Sequence, residues 1–332
     1  MRTLFLGSVV ERSGKTMVTL GLALNHPGKV GYYKPFRERL VCVDGKVVDQ
    51  DAYLMRRLLK LKHSEEDLCP FVYDINNSVT MPEIVAGYEN VECRCDTMLV
   101  EGTRDITTGY VNDVSGMAIA QSIRADVVLV STANPSDLER IVMLAELLKN
   151  YTTRLAGVIL NKVDDERPAD ILRHKGIKVL GSIPPLDHLK RYDVREVKEA
   201  LDADVVVGEQ NLDREVQRVM VGAMSPDTAL SIMRRYADKA IITGGDRSDI
   251  QMAALATDTS CLILTGGLYP AGPVISMAYE KGVPILVTRH DTLEATEKVD
   301  HLIARIDPED QKKIALVKKT VKEHVDLDAL FR

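Results

Sequence analysis

The segment Leu4–Gly21 constrains the fold of this 332-residue chain more than any other. An apolar run ends at Gly7, a polar loop continues to Ser13, and Gly14-Lys15-Thr16 then opens a segment whose apolar residues recur at helical spacing. A strand, a glycine-containing loop and a helix in this order place backbone N–H groups around a phosphate. The lysine reaches the β- and γ-phosphates and the threonine hydroxyl binds Mg²⁺. The segment therefore predicts a phosphate-binding loop.

The loop departs from the strict motif. Six residues lie between Gly7 and Gly14, where the strict motif has four, and Val9 stands where its first glycine would be. The alternative is an ordinary helix start with Ser13 as the N-cap. We favour nucleotide binding, because the loop directly follows the first strand and precedes a helix, which is the context the motif requires. The nucleotide-binding residues predicted here are Gly7, Ser13, Gly14, Lys15 and Thr16.

Two further segments supply carboxylates for a cation. Asp49 and Asp51 follow a predicted hairpin whose turn is Asp44-Gly45, and either could bind Mg²⁺ while the other caps the next helix. Glu101 ends a buried strand that begins at Thr97. Ligands of open α/β sheets gather at such strand ends, although a surface glutamate remains the alternative for this residue.

Asn161 ends another predicted strand, and its amide can both donate to and accept from a purine. The phosphate-binding loop, Glu101 and Asn161 then line the same edge of one sheet. Strands that alternate with helices of ten or more residues predict a doubly wound parallel sheet in an α/β fold. This domain is expected to end near residue 190.

Composition limits the class of protein. The net charge of −6 argues against a nucleic-acid partner, because phosphate contacts need clustered Lys and Arg. No window has the roughly 18 apolar residues of a membrane span, and no signal peptide precedes the loop, so a cytoplasmic protein is expected. Cys93 and Cys95 form the only close cysteine pair; since zinc needs four ligands, we favour reduced thiols.

The second half predicts a smaller α/β domain over residues 191–306, joined through a hinge near 188–200. Gly244-Gly245 and Gly266-Gly267 each follow a strand. Such pairs form either phosphate nests or turns that need positive φ, and we favour turns. Residues 307–332 form a C-terminal tail with the apolar spacing of a docked amphipathic helix.

Several motifs carry a family resemblance over residues 1–190. The stretches LFLGSVVERSGKT, KVGYYKP, DQDA, VEGT, ILNKV and VLGSIPP, in this order, resemble the dethiobiotin-synthetase-like P-loop domain, also found at the amino end of long phosphate acetyltransferases. The resemblance implies ATP and Mg²⁺ as cofactors. It implies that Lys34 helps Lys15 to hold phosphate and substrate, that Asp51 and Glu101 bind Mg²⁺ with Thr16, and that Asn161 contacts adenine. The loop is one residue longer here, and the segment after Glu101 also differs.

A second resemblance covers residues 200–305. The stretches ITGGDRSDIQMAAL, LILTGG and VPILVT resemble the DRTGG domain, which implies a regulatory or ligand-sensing role. The fold class expected for the chain is therefore a P-loop NTPase-type doubly wound parallel sheet followed by a smaller α/β DRTGG-type domain.

Three functions are weighed. The favoured one is an ATP- and Mg²⁺-binding regulatory or ligand-sensing protein, with or without slow ATP hydrolysis and with an unidentified small-molecule or protein partner; a homodimer is left open. The alternative is an ATP-dependent C–N ligase that activates a carboxylate or carbamate as a mixed phosphoric anhydride. The third is a scaffold with a vestigial loop. Long phosphate acetyltransferases carry a further catalytic domain after these two, so no acetyltransferase activity is expected of this chain by itself.

Overall fold

The computed structural model describes residues 1–43, 45–76, 79–92, 95–186, 189, 192–300, 302 and 306–331. The chain forms two compact units: Met1–Leu186 together with Ile306–Arg332, and Asp187–Arg305. Parts of three predicted features lie outside the described residues: the turn residue Asp44, the pair member Cys93, and the start of the predicted hinge.

The first unit is built on a six-stranded sheet, with two short strand pairs beside it. Its strands in chain order are β1 (Arg2–Ser8), β2 (Val30–Tyr33), β3 (Phe36–Arg37), β4 (Leu40–Val43), β5 (Lys46–Asp49), β6 (Phe71–Val72), β7 (Thr97–Glu101), β8 (Asp126–Ser131), β9 (Leu155–Asn161) and β10 (Val179–Ile183). The large sheet has the order β10-β9-β8-β1-β7-β2 and every pairing in it is parallel. The predicted parallel sheet is confirmed.

The order of the strands explains where a ligand can bind. The chain passes from β1 to the β2 edge, and later from β7 across β1 to β8, so β1 lies where the winding changes direction. The carboxyl ends of the strands at such a switch point form a crevice. Both faces of β1 and β7 are buried, which is why their sequences are nearly continuous apolar runs.

Helices connect these strands. They are α1 (Lys15–Asn25), α2 (Gln50–Leu59), α3 (Glu65–Leu68), α4 (Met81–Val91), α5 (Gly116–Ser122), α6 (Pro135–Leu148) and α7 (Arg167–His174). The apolar spacing of residues 136–148 predicts a helix with Ser136 as its candidate N-cap. The helix is observed, but the predicted cap is wrong. Asn134 is the N-cap and Pro135 occupies the first turn, where the missing N–H of a proline costs nothing.

The predicted hairpin is confirmed. β4 and β5 pair antiparallel from Leu40 with Asp49 to Val43 with Lys46, and Gly45 in the turn has φ 78°. The hairpin delivers Asp49 directly to the first turn of α2, so its position is set by a local turn.

The second unit is a smaller mixed α/β domain. Its elements are β11 (Tyr192–Asp193), α8 (Val194–Leu201), β12 (Asp204–Val207), β13 (Glu215–Val216), β14 (Arg218–Val221), α9 (Pro226–Met233), β15 (Lys239–Gly244), α10 (Ser248–Leu255), β16 (Thr259–Thr265), α11 (Gly272–Lys281), β17 (Ile285–Val287) and α12 (Thr292–Asp300). The five-stranded sheet has the order β12-β17-β16-β15-β14, with β12 antiparallel and the remaining strands parallel.

One glycine pair of this unit forms a turn. Gly266 and Gly267 have φ 79° and 68°. Their N–H groups donate to the carbonyls of His290 and Thr288, so they are already used by the backbone. The turn that we favoured is therefore observed at this pair.

The C-terminal segment returns to the first unit. Helix α13 (Gln311–His324) packs on α1, where the side chain of Val321 fills the space beside Gly21. Helix α14 (Leu327–Phe331) follows, and its fully buried Leu330 joins the core that contains Leu4. None of the helices in the described part of the chain combines the length and apolar character that a membrane span requires.

Candidate functional site

The loop between β1 and α1 is held by hydrogen bonds from its own residues and from β9. Gly14 is the N-cap of α1 in the left-handed region, with φ 88°, which favours glycine. Ser13 does not cap the helix; its hydroxyl lies 2.9 Å from the hydroxyl of Ser8. The alternative of an ordinary Ser13-capped helix start was therefore wrong. Gly7 lies in β1 with the side chain of Ile106 against its Cα, so a Cβ there would collide with Ile106.

Asn161 braces this loop. Its Nδ2 donates to the carbonyl of Ser13 at 2.7 Å, and its Oδ1 accepts from the backbone N–H of Lys162 at 3.0 Å. A Cβ on Gly14 would overlap the same amide nitrogen, so the glycine and the asparagine fit each other. The structure thus gives Asn161 a role in loop geometry that the sequence did not indicate. Its contact with adenine stays a prediction.

Lys15 is buried and points to the end of β7. Its ammonium donates to the carbonyls of Gly102 and Thr103, the second at 2.7 Å. Burial lowers its pKa, and the carboxylates of Glu38 and Glu101 oppose that shift. The lysine therefore lies among the acidic groups at the carboxyl edge of the sheet, held by neutral carbonyls.

Thr16 and Glu101 contact each other. The Thr16 hydroxyl donates to Oε1 of Glu101 at 2.7 Å, while the Tyr32 hydroxyl donates to Oε2 at 3.1 Å. Glu101 is fully buried, so it is not the surface glutamate of the alternative interpretation. Burial, followed by the nearby charge of Asp51, raises the pKa of Glu101 to about 7. A nearby cation would favour the ionised form of this carboxyl.

Lys34 forms a buried ion-pair cluster with three carboxylates. Its Nζ lies 2.7 Å from Asp51, 3.1 Å from Asp49 and 3.4 Å from Glu38. Burial opposes the charge of Lys34, but Asp51, Asp49 and Glu38 outweigh it and raise its pKa well above the usual range. Burial likewise opposes ionisation of Asp51, and the charge of Lys34 still lowers the pKa of that carboxyl. Lys34 and Asp51 are thus charged inside the protein.

Of the two aspartates that could cap the helix after the hairpin, Asp49 is the one that does so. Asp49 is the N-cap of α2 and accepts from the backbone N–H groups of Asp51 and Ala52. It also accepts from the N–H of Glu38 at 3.0 Å. The carboxylate of Asp51 caps nothing in α2 and accepts from Lys34 instead.

Glu38 is the residue that the sequence analysis missed. Its Oε2 contacts Lys34, whereas its Oε1 is buried without a hydrogen-bond partner among the described residues. Its spacing of four residues after Lys34 was the available signal. Within the described ranges, no group of three or more His, Cys, Asp or Glu is arranged to hold a metal ion by itself. A cation here would need the threonine hydroxyl, water or phosphate oxygens in addition.

The parallel sheet, the loop before α1 and the groups at its carboxyl edge define an α/β protein of the P-loop NTPase type with a smaller mixed α/β domain. The AAA domain family model matches residues 2–193, more than half of the chain, and the chain belongs to that family. The DRTGG domain model matches residues 196–302. Both matches confirm the resemblances seen in the sequence.

The chain is also similar to curated relatives and to solved structures. The phosphate acetyltransferase of Nitrosomonas europaea is 25% identical over 100% of this chain and 52% of that protein. The phosphate acetyltransferase of Nitratidesulfovibrio vulgaris is 25% identical over 98% of this chain and 51% of that protein. The chain therefore spans about half the length of these relatives. A ParA family ATPase from Chlorobium tepidum is 15% identical with a TM-score of 0.40, covering 57% of this chain and 86% of that one.

Proposed function

We propose that the first unit binds a magnesium nucleoside triphosphate, which the sequence analysis predicted to be ATP, and that the protein is a nucleotide-responsive regulator. The observation that carries the proposal is the hydrogen bond from Thr16 to Glu101 beside the left-handed Gly14. The hydroxyl that would bind the cation and a buried carboxylate thus already meet at the start of the helix that follows the loop.

The donor atoms suit Mg²⁺. They are hard oxygens from Thr16, Glu101 and Asp51, and Oε1 of Glu38, buried without a hydrogen-bond partner in the described part of the chain, is a further acceptor. Bound Mg²⁺ would neutralise phosphate charge. The proposal assigns Thr16, Asp51 and Glu101 as the residues that hold it.

Lys15 would bind phosphate by replacing its present hydrogen bonds to backbone carbonyls with hydrogen bonds to phosphate oxygens. Its ammonium now contacts two neutral carbonyls, and hydrogen bonds to an ionised acceptor are roughly twice as strong. A triphosphate in the loop therefore competes effectively for this side chain. Lys34 is tied to Asp49 and Asp51, so it would orient those carboxylates as well as attract phosphate.

The experiment is a calorimetric titration of the full chain with ATP in the presence and absence of Mg²⁺. We expect saturable heat that depends on Mg²⁺, and little or none with Lys15→Ala. Absence of heat with the wild-type chain, or equal heat from the variant, would contradict the proposal and favour a vestigial loop.

A ligase remains the second candidate, because the charge of Lys34 lies close enough to Lys15 to contribute to the lowering of its pKa. In a ligase their charges would stabilise a transferring phosphoryl group. The test is ADP release measured with a panel of amines and carboxylic acids. Release that depends on one of these compounds supports a ligase, and release that none of them stimulates supports regulation. The acetyl transfer named for the relatives can be measured in parallel.

A further inference from the structure

The loop that follows β16 exposes apolar side chains at the carboxyl edge of the second unit's sheet. Leu268 and Tyr269 in this loop are 51% and 63% exposed, and Met224, in the loop that follows β14, is 51% exposed. Parallel strands end at the same edge of a sheet, so these loops are neighbours there. Single exposed apolar residues are common, whereas neighbouring ones indicate an interaction surface. We call residues 266–269 the edge loop.

The edge loop is held in place by the loops on both sides of it. The N–H groups of Gly266 and Gly267 donate to carbonyls of the segment after β17, each at 2.9 Å. On the other side, the carbonyl of Leu268 lies so close to Gly245, in the loop after β15, that a Cβ there would collide with it. A surface that is ordered before binding loses less conformational entropy when a partner docks. The edge loop is therefore suited to present Leu268 and Tyr269 to a partner.

Opposite charges flank the edge loop. Asp246 follows β15 and Arg289 follows β17, and these two strands lie on either side of β16. Both residues are exposed, and neither side chain forms a hydrogen bond or an ion pair within the part of the chain that the structure describes. Since neighbouring strands are about 4.8 Å apart, roughly 10 Å separates the two strands across the sheet. The edge loop thus has a carboxylate on one side and a guanidinium on the other.

Other charged side chains at this edge have partners close by. Arg247 contacts Asp249 at 3.0 Å, and His290 lies 3.3 Å from Glu294. Asp291 accepts from the backbone N–H of Glu294 at 2.8 Å. The charges of Asp246 and Arg289, by contrast, are left available to a partner.

We infer that the carboxyl edge of the second unit binds the same edge of a second copy of this chain, about a two-fold axis that passes through the edge loop. A rotation by 180° about that axis exchanges the sides on which β15 and β17 lie. Asp246 of each protomer then faces the partner's Arg289, which gives two equivalent ion pairs around the apolar side chains of the two edge loops. An apolar centre with a polar rim is typical of protein interfaces, and a two-fold interface makes each contact twice.

Charge complementarity favours a second copy over a different protein. The surface carries both signs, one on each side of the edge loop, so it is complementary to itself after the rotation. None of these residues belongs to the first unit, so the inference does not depend on the proposed nucleotide binding.

The experiment is sedimentation equilibrium of the full chain without nucleotide. The wild type should dimerise. Asp246→Arg and Arg289→Asp each place like charges opposite one another at two positions, so each should raise the dimer dissociation constant at least about tenfold. Glu280→Arg reverses an exposed charge at the end of α11, shortly before β17 begins at the opposite edge of the sheet, and should leave the constant unchanged. All three positions are exposed, so the unfolding midpoints should match that of the wild type.

Compensation distinguishes this interface from a general effect of charge. In an equimolar mixture of Asp246→Arg and Arg289→Asp, opposite charges face each other again, so each variant should dimerise with the other. A chain that carries both substitutions should likewise recover dimerisation with itself, without a change in net charge. These recoveries support the inference. A monomeric wild type, single variants that dimerise as tightly as the wild type, or failure of either recovery overturns it.

Discussion

The hydroxyl of Thr16 donates to the carboxylate of Glu101 at 2.7 Å, although the two residues lie 85 positions apart in the chain. The contact exists because β1 and β7 are parallel neighbours with Leu6 opposite Glu101. Parallel pairing brings the start of α1 and the end of β7 to the same edge of the sheet. The proposals for nucleotide and cation binding depend on this juxtaposition.

Replacing Lys15 with alanine should weaken nucleotide binding by at least about tenfold, because the charge-assisted hydrogen bonds to phosphate are lost. Calorimetry measures the effect. Lys29→Ala removes an exposed lysine just before β2 and serves as the matched control, with unchanged affinity expected. Equal losses in both variants would point to a nonspecific effect of charge.

Gly14→Ala should damage both the loop and its brace. A side chain at φ 88° is strained, and its Cβ would displace the amide of Asn161 from Ser13. Gly176 also has positive φ, 75°, but open space around it, so Gly176→Ala isolates the backbone cost of about 1–2 kcal/mol. We expect a larger loss of stability for Gly14→Ala in urea unfolding, and loss of nucleotide affinity for that variant alone. Equal stability losses would show that the contact with Asn161 is unimportant.

Replacing Lys34 with methionine should lower the free energy of unfolding by about 3–5 kcal/mol, because it leaves the buried carboxylates of Asp49 and Asp51 uncompensated. Lys149→Met breaks an exposed pair with Glu146 and should cost less than about 1 kcal/mol. Urea unfolding of both variants at neutral pH checks this contrast. A small effect at Lys34 would mean that the carboxylates take up protons instead.

Glu101 should make the nucleotide-free protein less stable as the pH rises from about 4.5 to about 7. Its folded-state pKa, about 7, lies above its ordinary value of 4.5, so the folded form binds more protons than the unfolded form in that window. Thermal unfolding across this range should show a shallower fall for Glu101→Gln than for the wild type. Glu139→Gln, which changes an exposed residue of α6, is the control and should keep the wild-type dependence of stability on pH. A dependence for Glu101→Gln identical to that of the wild type would contradict the raised pKa of Glu101.

The C-terminal helices should stabilise the first unit. Leu330 is fully buried in the core that contains Leu4, so Leu330→Ala should cost about 2–5 kcal/mol. Leu293, exposed in α12 of the second unit, provides a control for which Leu293→Ala should change stability by no more than about 0.5 kcal/mol. Leu330→Ala should lower the midpoint of one unfolding transition. If added nucleotide raises the midpoint of the same transition, that transition belongs to the first unit.

Local patterns predicted much of this fold. Alternating apolar runs and helical spacings indicated the parallel sheet, and the Asp-Gly pair indicated the β4–β5 hairpin, because turn chemistry is carried by consecutive residues. The start of α6 was misplaced, since Asn134 and Ser136 are both acceptable caps and the distinction depends on the path of the preceding chain.

By itself, the sequence determined the parallel sheet, the glycine-containing loop that follows its first strand and the types of side chain that end its strands. Tertiary structure decided their partners: Asp49 caps α2 while Asp51 lies on Lys34, Glu38 joins the same cluster, and Asn161 braces Ser13. The physical reason is the distance along the chain over which each kind of interaction acts. Periodicity and turns act between neighbours in the chain, whereas the contacts of Asp51 with Lys34 and of Asn161 with Ser13 join segments that only the tertiary fold brings together.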